Sequence, residues 1–447
     1  MLPENFASLA PEQKLEARLA DWISTEGKPF ASSEAAEKYR ARAQRYADVI
    51  QLRQPDRVPT TAFTGDLQQH LTGTSLGDYF YDYPKAAKGA IEFFERFPEF
   101  EYYPASNFEP GPVFDKVKYQ LYRWPGGQLK ADQGFQYIEG EYMTADEYDE
   151  LIRNPDGWLL RSYVPRIMPG LAGLANIPVL LGTSELPFVP FFFAGMAAPP
   201  VTEALEALLE ASRLTMEYMG QIGQTIGFAV FGKGMPMTVG GFSKAPFDFL
   251  GDTLRGTRAV MMDLFRRPQK VLAACEALTP LAIKMAVDAA AGAGVPFAFI
   301  PLHKGADGFM SDADFEKFYW PSLEATIRGI VAEGVVPAMF VEGGYNSRLA
   351  RIAEANLPKG TTAWAFDQTD MANAKKFFGP WAAIGGNVPG SLFQTGTPET
   401  MREYVGQLMD TCKPGGGFFM APGVVLDHAK EENFRAWLKA GIEFGKY

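Results

Sequence analysis

The chain has 447 residues, 47% hydrophobic and 21% charged, enough to bury one large core or two ordinary ones and too apolar to stay disordered. Its 53 acidic against 42 basic residues give a formal charge of −11 with no dense Lys/Arg run, which argues against nucleic-acid and anionic membrane surfaces as partners. Cys275 and Cys412 stand far apart, so neither a disulfide framework nor a Cys-x-x-Cys metal site is available, and a reducing, cytoplasmic setting is expected.

The N-terminus carries acidic residues and no continuous apolar run, unlike a secretory signal. Residues 1–54 predict a helical extension, because EQKLEARLADWI and SEAAEKYRARAQRYADVIQL place apolar residues three and four apart. Pro55-Asp56-Arg57-Val58-Pro59 stops the helix and starts an extended segment, TTAF. From there, residues 55–447 read as one domain with an aromatic insertion at about 100–200. Gly65 to Phe100 is helical in pattern, and residues 100–140 are aromatic and β-favouring around a turn at Pro125-Gly126-Gly127. Thr144-Ala145-Asp146-Glu147 is a capping box opening a helix that ends near Pro155-Asp156-Gly157. The stretch Leu186 to Val201 is too short to span a membrane and holds four prolines, so it reads as a loop. A helix from about Val201 to Gly220 and a strand, IGFAVFG, follow.

Beyond Gly256 helices alternate with short apolar strands: VPFAFIP, VPAMFV, TTAWAF, WAAIGG and GGFFMAP. Such strands form a parallel sheet buried on both faces. Five consecutive strand–helix units, with two or three strand candidates upstream, predict a (β/α)8 TIM barrel carrying N-terminal helical and β-rich additions. No strand leads into a dinucleotide-binding or P-loop glycine motif. Chemistry in a barrel sits just past the C-terminal strand ends, which here hold His303, Lys304 and Asp307, then Glu342, Tyr345 and Asn346, then Asp367, Asn387, and Asp427 with His428.

His303, Lys304, Asp307, Glu342 and His428 are the candidates for acid/base work. Tyr345, Asn346, Asp367, Asn387 and Asp427 are candidates for binding substrate. His303, Glu342 and His428 could also hold a divalent metal without thiolates; ordinary loop hydrogen bonding, with Glu342 paired to Lys304 or Arg348, is the plainer alternative. The FFFAG and EFEYYPASNF clusters suit core, oligomer contact or a lid, and apolar residues 186–201 favour a homodimer.

Several motifs occur in family order: Leu254-Arg255-Gly256, the run from Met262 to Pro268, the run from Phe315 to Leu323, Gly385-Gly386-Asn387-Val388, Gly396-Thr397-Pro398 and Glu431-Glu432-Asn433. Over residues 200–447, and more weakly from Pro55, the chain resembles the uroporphyrinogen decarboxylase superfamily, which includes porphyrin decarboxylases and cobalamin:thiol methyltransferases and implies a (β/α)8 barrel. Two departures stand out. Where porphyrin decarboxylases carry an arginine-rich loop that clamps propionates, this chain reads Thr60 to Asp66 without arginine. Where the methyltransferases have a His-x-Cys pair and a later Gly-Cys, it has Glu342-Gly343-Gly344 and Gly423-Val424. The resemblance therefore implies a methyltransferase-like enzyme of one-carbon transfer acting on a small molecule, with a corrinoid protein as possible partner. The alternatives are a decarboxylase or carbon–carbon lyase on a non-porphyrin substrate, and a non-catalytic binder of a tetrapyrrole or aromatic ligand.

Overall fold

The structure, a computed structural model, describes residues 2–104 and 106–447. Six parallel strands form its sheet in sequence order: β3 (Gly241–Phe242), β4 (Phe297–Leu302), β5 (Val336–Val341), β6 (Ala363–Phe366), β7 (Ala383–Val388) and β8 (Phe418–Pro422). Strands β1 (Tyr122–Arg123) and β2 (Gln136–Tyr137) make a separate antiparallel hairpin. Single parallel bridges extend the sheet at both edges, Thr60 to Met420 beyond β8, Gly65 to Ser106, and Tyr103 to Met237 before β3. Thr60, Gly65, Tyr103 and Ser106 thus continue an α/β arrangement of the TIM-barrel type through isolated bridges, where the six strands have ladders.

Side chains along each strand alternate, as the pleat requires. Ala298, Ile300 and Leu302 face the surrounding helices within the large core, whereas Phe297, Val336, Ala363, Ala383 and Phe419 gather at the N-terminal strand ends. The helices Pro11–Ile23 and Ser33–Ile50 close that end. Trp22 and Tyr46 set their rings edge-on against Phe297 at 5.0 and 5.2 Å, a geometry worth ~0.5–1.5 kcal/mol beyond burial. The second helix begins where Ser32 accepts the backbone N–H of Ala35. Higher in the barrel Phe63, Phe299 and Phe340 pack with centroids 4.4 to 5.6 Å apart and form an apolar floor. With the lower end plugged, the C-terminal mouth is the face left for a ligand.

Several local expectations change. The segment 226–232 ends the long helix Pro199–Gly227 in a wider turn, and the strand at this place in the barrel is the two-residue β3, which starts only at Gly241. Its Gly240-Gly241 lies against the backbone of the following helix and Val295, where a side chain would collide, so no β-favouring run marks it. Residues 186–201 are largely helical, Val189–Met196 followed by the start of Pro199–Gly227, with Pro190, Pro199 and Pro200 in first turns. The 100–140 region carries the helix Gly111–Val117 and a minimal hairpin. Among the described residues no helix is long and apolar enough to cross a membrane.

Candidate active site

Strand β4 delivers His303 and Lys304 to the mouth, and an acidic turn meets them. Pro246 starts a short helix, Pro246–Asp248, that continues through Phe249–Leu254, placing Asp248 and Asp252 one turn apart on the same side. Asp248 is fully buried and accepts the backbone N–H groups of His303 and Lys304, each at 3.0 Å, and the Tyr319 hydroxyl at 2.7 Å. It fixes the end of β4. Burial and the neighbouring charge of Asp252 raise its carboxyl above the ordinary range, against the opposing pull of His303.

Asp252 is the charge centre. Its carboxylate lies 2.6 Å from His303 Nδ1 and 2.8 Å from Lys304 Nζ, and it also takes a bond from Lys244. Burial would raise it, but the His303 bond and the charges of Lys244, His303 and Lys304 prevail and hold it below the usual carboxylate range. For His303 burial favours the neutral ring, yet the Asp252 bond and the charges of Asp248 and Asp252 leave its pKa raised. Lys304 reaches Asp252 through space left by Gly251, where a Cβ would come within 2.7 Å of Lys304 Cε. It also donates to Thr257 Oγ1 at 2.9 Å.

Glu342, at the end of β5, approaches His303 Nε2 at 3.8 Å with its side chain 47% exposed. That is too long for a hydrogen bond, and the two groups stand side by side at the mouth, within reach of the same ligand. Burial against the site raises the Glu342 carboxyl, with His303 acting in the opposite sense. His303 and Glu342 thus form a proton-holding pair open to the mouth, on a base of Asp252, Asp248 and two lysines.

The remaining sequence candidates divide. Asp307 lies apart from His303, accepting the Ser347 hydroxyl at 3.0 Å beside Arg348. Tyr345 does not line the mouth: it is fully buried, its ring edge-on to Phe315. Asn346 is exposed and accepts the Asp370 N–H at 2.9 Å. Asp367 accepts the Gly343 N–H at 3.0 Å, and burial raises its carboxyl. Asn387 spends its amide on the carbonyls of Asp367 and Thr369 and accepts from the Tyr404 hydroxyl, so it ties loops together. The expected pairing of Glu342 with Lys304 or Arg348 does not form; Lys304 takes Asp252, and Arg348 bonds Asp312 and the carbonyls of Gly305 and Met310.

Asp427 and His428 belong to a second cluster on the β8 side. Asp427 accepts the Asp66 N–H at 3.1 Å, and Asp66 accepts from Asn107 Nδ2 at 2.7 Å. The close approach needs Gly65, whose φ is +36° and whose Cβ would lie 2.0 Å from the Asp427 carboxylate. His428 stacks edge-on with His70 at 4.7 Å, and burial together with the charge of His428 lowers the His70 pKa. His303, Glu342 and His428 therefore do not converge, and among the described residues no three His, Cys, Asp or Glu side chains gather as a metal site. The cysteine ligands of the methyltransferase branch have no counterpart at the mouth either: Cys275 and Cys412 are buried on outer helices, their thiols pushed up to about 12 by burial.

Asp248, Asp252, Lys244 and Tyr319 are absent from the sequence candidates. Two acids four apart after Pro246 were the available signal, obscured because the preceding strand is two residues long. Several family motifs hold structure: Arg255 bonds Asp263 at 2.8 Å, and Asn433 donates to the carbonyls of Leu392, Phe393 and Gly396.

Residues 194–444 match the uroporphyrinogen decarboxylase (URO-D) family. Among solved structures the fold is similar to a methyltransferase from Methanosarcina mazei, 15% identical, with a TM-score of 0.56 over 90% of this chain and 98% of that one. No curated protein matches the sequence.

Proposed function

The chain belongs to the uroporphyrinogen decarboxylase family, and from that premise we propose that it is a methyltransferase-like enzyme performing one-carbon transfer at the C-terminal mouth of the barrel. The observation that carries the reading is the His303 group: an imidazole tied to Asp252 through Nδ1, with Nε2 and the Glu342 carboxyl 3.8 Å apart and both accessible at the mouth. A methyl group leaving oxygen or nitrogen leaves a lone pair on that atom, which must take up a proton. His303 supplies it from Nε2, Asp252 holds the ring in the donating orientation, and Glu342 returns the proton. Phe63, Phe299 and Phe340 exclude water from below.

The family resemblance points to a corrinoid on a partner protein as the methyl acceptor. His303 and Glu342, 31% and 47% exposed, are accessible to such a group from the mouth. A bound corrinoid would supply the nucleophile, while this chain binds, orients and protonates the substrate. Decarboxylation fits less well, because a carboxylate substrate needs a free cation and the two lysines at the site, Lys244 and Lys304, both engage Asp252.

Incubation with methylcobalamin and a phenol or an amine as methyl acceptor, followed by the cobalamin spectrum, tests the reading in the reverse direction. Demethylation by the wild type, lost in His303→Ala, is expected. An unchanged spectrum with the wild type counts against methyl transfer.

A further inference from the structure

Away from the His303 group, the insertion encloses a second cavity of about 560 Å³, within the range of small-molecule sites. The helix Gly111–Val117, the β1–β2 hairpin and the long helix Pro199–Gly227 supply its walls. Phe80, Phe114, Tyr119, Tyr122, Trp124 and Phe135 line it in a nearly continuous series of ring contacts: Phe114 meets Trp124 at 5.3 Å and Tyr119 at 5.6 Å, and Tyr122 meets Phe135 at 5.7 Å. Into this aromatic box projects one carboxyl group, Glu109.

Among the described residues no lysine, arginine or histidine lines the cavity. The aliphatic hydroxyls of the lining are committed elsewhere: Ser212 and Thr215 each donate at 2.8 Å to carbonyls of their own helix. Among the described residues no hydrogen bond or ion pair reaches the Glu109 carboxylate. Burial raises its pKa to about 7. The titratable groups facing it are Tyr83, Tyr119, Tyr122 and Tyr218, all raised by burial and uncharged near neutrality. An unpaired acid among aromatic faces leaves a position where a cation would gain both an ion pair and the negative ring faces.

We propose that this cavity is a binding site for an organic cation, an ammonium group borne on an apolar or aromatic skeleton. The charged nitrogen sits against Glu109 and the ring faces, and the carbon skeleton fills the apolar remainder. Tyr122 pairs across the hairpin with Tyr137, whose hydroxyl donates to the backbone carbonyl of Asp252, which places the cavity beside the mouth. Binding here does not depend on which reaction the mouth performs.

Benzyltrimethylammonium is the probe, with neopentylbenzene, identical except for carbon in place of the charged nitrogen, as control; both are titrated into the full-length protein by tryptophan fluorescence. Wild type should prefer the cation at pH 8. The probe has no titrating proton, so its affinity should rise about tenfold from pH 5.5 to pH 8 as Glu109 ionises. Glu109→Gln should remove the rise and weaken the cation at pH 8 about tenfold, leaving neopentylbenzene unaffected. Equal affinity for both probes, or a flat pH profile in the wild type, overturns the proposal whether or not the variant folds.

Discussion

Glu109 also makes a prediction about stability that needs no ligand. Burial moves its pKa from an ordinary 4.5 to about 7. At pH 4 folded and unfolded chains both hold the proton, and Glu109 contributes no pH dependence. Between pH 4.5 and 7 the unfolded chain releases the proton while the folded chain keeps it, so stability falls as pH rises. Above pH 7 both are ionised and the cost is constant. At ~1.4 kcal/mol for each tenfold change in proton affinity, the full cost is about 3 kcal/mol. Glu109→Gln keeps the shape and hydrogen-bonding capacity of the side chain and removes the ionisation. With an unfolding entropy of ~2.1 cal/mol/K per residue, the variant's Tm should gain about 3 °C relative to wild type between pH 4.5 and pH 8. Other ionisable groups change both proteins alike and cancel in the difference. The measurement is calorimetric unfolding of both proteins at matched ionic strength. A difference in Tm that does not change between the two pH values would refute an unpaired, buried Glu109.

Asp252→Asn should lower the His303 pKa, read from imidazole resonances; three histidines make assignment by single variants direct. Because the wild-type His303 pKa is raised, its stabilising charge is full below its unfolded value near 6.5 and is lost as pH rises through the higher folded value, so Asp252→Asn should destabilise more at pH 6 than at pH 9 in urea unfolding. Gly251→Ala should displace Lys304 and slow any turnover at the mouth with the far-UV spectrum unchanged, seen as a loss in kcat. Trp22→Ala removes an indole 1% exposed and should cost ~3–5 kcal/mol in urea unfolding. Elemental analysis of the purified protein should find less than one equivalent of zinc, since the described residues form no ligand set.

The parts of the fold legible in sequence are those where one local pattern suffices. Strands β4 to β8 are continuous apolar runs between amphipathic helices, and alternation alone places His303, Glu342, Asp367 and Asn387 at their inward-facing C-terminal ends. That logic reaches a position and stops short of a partner. Tyr345 follows the same strand end only three residues after Glu342, yet the chain turns at Gly343, φ +76°, and sends the tyrosine into the core while leaving the glutamate at the mouth. Asp248 and Asp252 escape the same reasoning because β3 is too short to carry a pattern, and their tie to His303 spans more than fifty residues of sequence. Glu109 is less legible still: it stands among aromatic residues that read equally well as core, and what distinguishes it is the absence of any countercharge across a cavity built from segments a hundred residues apart. The chemistry of a strand end can therefore be anticipated from local order, whereas whether a carboxylate is paired, clamped or left to wait for a cation depends on long-range packing that no local pattern encodes.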